Sequence, residues 1–249
     1  MKNKKMKPIL ILIVLFFTTV SNSQNSKPKE NSKPFVLGSI EEIHSKVLTE
    51  KRILNIYLPE GYQQNDTITY PVIYLLDGSA DEDFIHVVGL FQFNSFSWIN
   101  RVPKSIVVGI ANVDRKRDFT YQTTIVADQK RYATAGKSAN FISFLEKELQ
   151  PYIEKKYKTN DSKTIIGQSL GGLLGTEILL QKPNLFNKYI IISPSLWWDN
   201  GSLLRQNSVI YQENFNKKID IYLGVGKEGL APSEIPHVME VDANLLTDS

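Results

Sequence analysis

The chain has 249 residues, 42% of them hydrophobic, with no cysteine and a formal net charge of +3. That length and apolar content suit one domain with a sizeable core, and the missing cysteines exclude both a disulfide framework and thiol-linked lipid. Four of the 29 Lys and Arg fall in the first 23 residues, leaving 25 basic against 26 acidic groups beyond them, so nothing in the overall charge favours a nucleic-acid partner.

Lys2, Lys4, Lys5 and Lys7 precede the apolar run Ile9 to Phe17 and then the polar Ser21-Asn22-Ser23-Gln24, the pattern of a secretory signal peptide over residues 1–23. The run is short for a bilayer span. The expectation is a periplasmic or secreted protein with no stable membrane insertion after cleavage, an uncleaved anchor being the alternative. Residues 24–34 are polar with two prolines and read as a disordered leader. Residues 35–249 remain as the folded domain.

Within that domain short apolar runs alternate with amphipathic stretches. Arg52 to Leu58 reads as a strand ending at Pro59-Glu60-Gly61. Pro71 to Leu76, Ser105 to Ile110, Thr164 to Ile166, Tyr189 to Ile192 and Ile219 to Leu223 are near-continuous apolar runs, which suits parallel strands buried on both faces. Arg115-Lys116-Arg117 reads as a charged loop. Phe141, Phe144, Leu145, Leu149, Tyr152 and Ile153 fall at helical spacing and predict a long amphipathic helix bent near Pro151.

The most informative segment is Gly167-Gln168-Ser169-Leu170-Gly171, entered from an apolar run and left through a small-residue, helix-like stretch from Gly172 to Leu180. A serine between glycines at that junction is forced onto a strained strand-to-helix turn, a nucleophile elbow. A serine that merely caps a helix is the competing reading. Strands alternating with helices give an α/β fold with a mostly parallel sheet, whose site lies at the carboxyl ends of the strands. Ser169 and the turns after Leu76 and Leu223 all fall on that edge.

The elbow, Tyr70-Pro71-Val72-Ile73-Tyr74-Leu75-Leu76-Asp77-Gly78, Arg117-Asp118-Phe119-Thr120 and Ile192-Ser193-Pro194-Ser195-Leu196-Trp197-Trp198-Asp199 together resemble the putative-esterase family of α/β-hydrolases. That family includes esterase D, enterochelin-type siderophore esterases, feruloyl esterase domains and mycolyltransferases. The resemblance runs from about Phe35 onward. It implies the α/β-hydrolase fold, with helices on both sheet faces, and a serine hydrolase acting on small-molecule carboxylic esters such as a siderophore or acylated sugar. An acyl-enzyme is implied, and no metal or other cofactor.

In such a mechanism Ser169 is the nucleophile, since a serine hydroxyl attacks once a histidine takes its proton and a carboxylate orients that histidine. Oxyanion donors are expected from Leu170 and from Gly78 or Ser79. Asp77 reads as a turn residue. Glu228, in the turn after the last strand, is the leading candidate acid, with Asp199 second and a solvated loop carboxylate as the bland alternative. Trp197, Trp198 and Arg117 are candidate substrate-binding residues, against core packing for the indoles and a mutual Arg117–Asp118 surface pair.

The base is the departure. Only His44, His86 and His237 are present. The first two precede the elbow, on an early strand and on the helix after Asp77, while His237 falls near a helix start rather than on a loop after a further strand. The C-terminal strand and histidine loop of the fold are thus missing from the residues given. A piece of a longer protein is the favoured explanation and a shortened protein of little esterase activity the other. Acyl transfer by the same residues, and a non-catalytic ligand-binding protein with an aromatic cleft including Trp98, are the alternative functions.

Overall fold

The computed structural model describes residues 32–226, and the fold begins at Leu37. Its strands are β1 (Ser39–Ser45), β2 (Glu50–Tyr57), β3 (Tyr70–Leu75), β4 (Ile106–Ile110), β5 (Thr159–Gln168), β6 (Lys188–Ile192) and β7 (Asp220–Gly224). They form one sheet in the order β1-β2-β4-β3-β5-β6-β7. β1 and β2 make an antiparallel hairpin and β2 runs antiparallel to β4. From β4 to β7 every pairing is parallel, so β3, β5, β6 and β7 deliver their carboxyl ends to one edge.

The apolar runs lack alternation because the central strands are covered on both sides. Ile73, Leu75, Val107 and Ile166 pack under α1 (Phe84–Asn94) through Phe84, Val87 and Val88. Val72, Tyr74, Val108 and Ile165 face the other way, onto the long helix and α6 (Leu170–Gln181). Among the described residues β7 is the last strand of the sheet, and its Ile221, Tyr222 and Leu223 are exposed. Among the described residues no helix is long and apolar enough to cross a membrane.

The helix expected around Phe141 to Ile153 is continuous but not uniform. It comprises α4 (Ser138–Phe144), a π turn (Leu145–Leu149) and α5 (Gln150–Lys156). Pro151 has no N–H, and its ring would strike the carbonyl four residues back, so the ladder widens before it. The Gln150 amide accordingly donates to the Leu145 carbonyl. Inside that π turn Glu148 accepts from the Ser45 hydroxyl and from the amides of Lys46 at 2.9 Å and Val47 at 3.1 Å, closing the β1–β2 hairpin.

The charged cluster at 115–117 is not a loop. Asp114 caps α2 (Arg115–Phe119) by accepting from the Arg117 amide at 3.0 Å. α2 is then fastened to β2. Arg52, fully buried, donates from Nη1 to Glu50 at 2.8 Å and Asp118 at 2.7 Å, with its guanidinium over Phe141. Beyond α2, the short α3 (Val126–Arg131) leads into α4.

Candidate active site

Ser169 stands between β5 and α6 with φ 54° and ψ −118°, a conformation that an L-residue keeps only when its surroundings impose it. A Cβ at Gly167 would lie 2.3 Å from the Gly171 carbonyl oxygen, so only glycine lets the last turn of the strand approach the first turn of the helix. At Gly171 the expected collision is milder, the nearest atom being Asp77 Oδ2 at 3.3 Å. Backbone bonds lock the elbow. The Ser169 amide donates to Ile192 O at 3.0 Å, and its carbonyl accepts from Leu173 at 2.9 Å and Ser195 at 3.1 Å. As the first residue of α6, Leu170 holds one of the amide donors that a helix leaves without an internal acceptor.

Ser195 was not singled out by the sequence, yet its Oγ lies 3.2 Å from Ser169 Oγ. It sits on the loop after β6, which is also tied to the tip of β7. The Ser193 amide donates to Gly224 O at 2.7 Å, and Gly226 donates to Ser193 Oγ at 3.0 Å. The ends of β5, β6 and β7 are therefore linked at the elbow.

Gly78 is corrected. Its amide donates to the Ile110 carbonyl at 3.0 Å, so it faces β4 and is not open to an oxyanion. A Cβ there would lie 2.4 Å from Gly109 Cα, so this glycine serves a close approach of the turn to the neighbouring strand. The next amide, Ser79, makes only a long 3.3 Å contact to Glu82.

Asp77 is more than a turn residue. At φ 52° and 9% exposure, its carboxylate accepts from Arg115 Nε at 2.6 Å, Arg115 Nη2 at 2.9 Å and Asn112 at 2.7 Å. The same Arg115 Nη2 reaches Gln168 O at 3.2 Å. Arg115 is thus the cation at the elbow. Arg117, the expected substrate-binding residue, is turned away, because its guanidinium is held by Glu50 at 2.6 and 2.9 Å and by Asp118 at 2.7 Å. Nor are Arg117 and Asp118 a simple surface pair, since Asp118 is buried between Arg117 and Arg52.

The tryptophans divide. Trp198 is 2% exposed, packs with Leu173, Leu180 and Leu203, and donates from Nε1 to Tyr121 O at 2.9 Å, so it is core rather than pocket wall. Trp197 stays 39% exposed two residues past Ser195 and keeps its place as a candidate lining residue. Trp98, the third tryptophan, is exposed and stacks on Phe96.

Asp199 is corrected as an acid. Its Oδ1 accepts from Thr123 Oγ1, Thr124 N and Thr124 Oγ1 at 3.0, 2.7 and 2.8 Å, and its Oδ2 from Ser202 at 2.6 Å. Burial alone would push this carboxyl up, but the bonds from Ser202, Thr124 and Thr123 outweigh it and hold it below the usual aspartate range. Such a carboxylate is fully engaged in stapling two loops. Glu228 and His237 lie outside the described residues. His44 and His86 are exposed on β1 and α1, and β1 is four strands from β5, about 19 Å away. Among the described residues, then, no histidine hydrogen-bonds to Ser169, whose side-chain partner is Ser195.

One further acid lies on the elbow helix. Glu177 is 2% exposed, accepts from Ser138 Oγ at 2.9 Å, and has no partner for Oε2 among the described residues. Burial pushes its carboxyl to about 7.

A family model described as "Putative esterase" matches residues 45–238. "Ferri-bacillibactin esterase BesA" of Bacillus subtilis is 30% identical over 72% of this chain, a match spanning 66% of that protein. Two solved structures are similar. The IroE-like serine hydrolase from Shewanella oneidensis has TM-score 0.71 and 33% identity, over 85% of this chain and 69% of that one. The BES protein from Bacillus cereus has TM-score 0.70 and 28% identity, over 88% and 84%. A parallel sheet with a strained serine at its carboxyl edge and a match across most of the fold lead to one conclusion: the chain belongs to the "Putative esterase" family of the α/β-hydrolases.

Proposed function

We propose that this chain is an exported serine esterase that hydrolyses siderophore-type carboxylic esters through an acyl-enzyme on Ser169. The observation that carries the reading is the imposed φ of Ser169 at the head of α6. Ser169 Oγ adds to the ester carbonyl as a base takes its proton. The carbonyl oxygen becomes an oxyanion against the Leu170 amide, with Ser79 as the second donor in place of Gly78. Collapse expels the alcohol, which takes the proton from the base. Water then attacks the acyl-enzyme with the same base assisting, releasing acid and free Ser169. The base is a histidine outside residues 32–226, oriented by Glu228. Trp197 borders the acyl or alcohol group. Similarity to "Ferri-bacillibactin esterase BesA" and to a "Siderophore enterobactin esterase" of Emericella nidulans supports the substrate class, and the basic and apolar segment at residues 1–23 supports export.

The test is labelling of the full-length gene product with a fluorophosphonate, together with product analysis on a ferric siderophore ester. Labelling that vanishes in Ser169→Ala, with free acid as product, is expected. Undiminished labelling in Ser169→Ala sinks the reading. Export is read from the mature N-terminus, which should begin at Gln24.

A further inference from the structure

Acyl-enzyme chemistry at Ser169 develops negative charge beside the Leu170 amide, yet the fold places a second negative group close by. Asp77 Oδ2 lies against the first turn of α6, 3.3 Å from where a Cβ on Gly171 would stand, one residue past the expected oxyanion donor. At 9% exposure water does little to screen it. Left alone, this carboxylate would oppose the oxyanion and raise the barrier. It is not left alone. Arg115 grips both of its oxygens at 2.6 and 2.9 Å, Asn112 adds 2.7 Å, and Arg115 Nη2 continues to the Gln168 carbonyl, next to the nucleophile.

We propose that Arg115 is a positioning residue of the esterase reaction, cancelling the Asp77 charge beside the oxyanion site while tethering the elbow through the Gln168 carbonyl. This rests on the nucleophile reading of Ser169. Arg115 touches no reacting atom. It acts on the field in which the oxyanion forms and on the angle at which Ser169 is presented. An ordinary structural ion pair would make the loss of either partner similar. Here the two losses differ in kind, because removing the arginine strands a negative charge beside the oxyanion site, removing the aspartate leaves a positive one, and removing both leaves neither.

The test is a double-mutant cycle on the full-length gene product, read as p-nitrophenyl acetate hydrolysis and fluorophosphonate labelling rate. Arg115→Gln should lower kcat and the labelling rate by about 100-fold with little change in KM, since the stranded charge acts on the transition state. Asp77→Asn in the Arg115→Gln background should restore at least about tenfold. A folded Arg115→Gln with near-native kcat overturns the proposal, as does a folded double variant no faster than the single. Should Arg115→Gln not fold, the double variant is compared with wild type. A labelling rate more than about 100-fold slower, with a native circular dichroism spectrum, overturns it too. Persistent labelling in Ser169→Ala would instead remove the nucleophile reading beneath it, a separate failure.

Discussion

Asp77 and Asp199 occupy loops leaving β3 and β6 on the same edge of the sheet, and both adopt φ 52° with nearly complete burial. Their partners differ. Asp199 is satisfied by hydroxyls and one amide, all neutral, whereas Asp77 is gripped by a guanidinium. Neutral donors stabilise a carboxylate but leave its field uncompensated, while a cation offsets that field as well. The carboxylate that must lose its field is the one against the first turn of α6. The one beneath the Trp198 core keeps its own.

The sharpest contrast between these loops lies in the residue after each aspartate. Gly78→Ala would put a Cβ 2.4 Å from Gly109 Cα and 2.6 Å from Ile110 N, backbone that cannot yield without breaking β4. At least about 4 kcal/mol of stability should disappear in urea titrations, and a loss below about 1 kcal/mol would show that this turn is seated as loosely as its counterpart. Asp199→Ala strips the acceptor from four donors and should remove about 3 kcal/mol. Asp199→Asn probes pH instead. A depressed folded-state pKa stabilises fully above the unfolded value near 4 and loses that contribution as pH falls through the folded one. Wild type and Asp199→Asn should therefore differ most in Tm above about pH 4 and converge below it; a constant gap would contradict the assignment. The smallest effect belongs to Asn200, exposed with φ 52°. Ala there should cost about 1 kcal/mol, while Gly stays within about 0.5 kcal/mol of wild type.

Sequence pattern found the elements whose burial is two-sided. Pro71 to Leu76, Ser105 to Ile110 and Tyr189 to Ile192 appear as unbroken apolar runs and are β3, β4 and β6. β1 was anticipated only as an early strand around His44, without bounds, because Ser39–Ser45 is a hairpin edge strand with mostly exposed residues. α2 was missed because one helical turn has no periodicity to show, and its stability comes from Glu50 and Arg52, more than sixty residues away. The elbow was readable since its glycines answer a local steric demand. Gly78 misled because the direction of an amide depends on the neighbouring strand. Trp198 misled because its indole is placed by Tyr121, 77 positions earlier. Arg115 carried no signal apart from its basic neighbours. What distinguishes it is geometry alone.

Glu177 gives the protein a second titration, opposite in sense to that of Asp199. Its carboxyl holds a proton to about pH 7 in the fold, whereas the unfolded chain releases it near 4.5, so stability declines as pH rises between those values and levels off above. The two acids therefore pull stability in opposite directions as pH rises, Asp199 adding to it and Glu177 subtracting from it. Glu177→Gln should flatten the alkaline side of the Tm profile while leaving the acidic side to Asp199. Above about pH 7 the fold therefore carries a charged carboxylate inside the helix that presents the nucleophile.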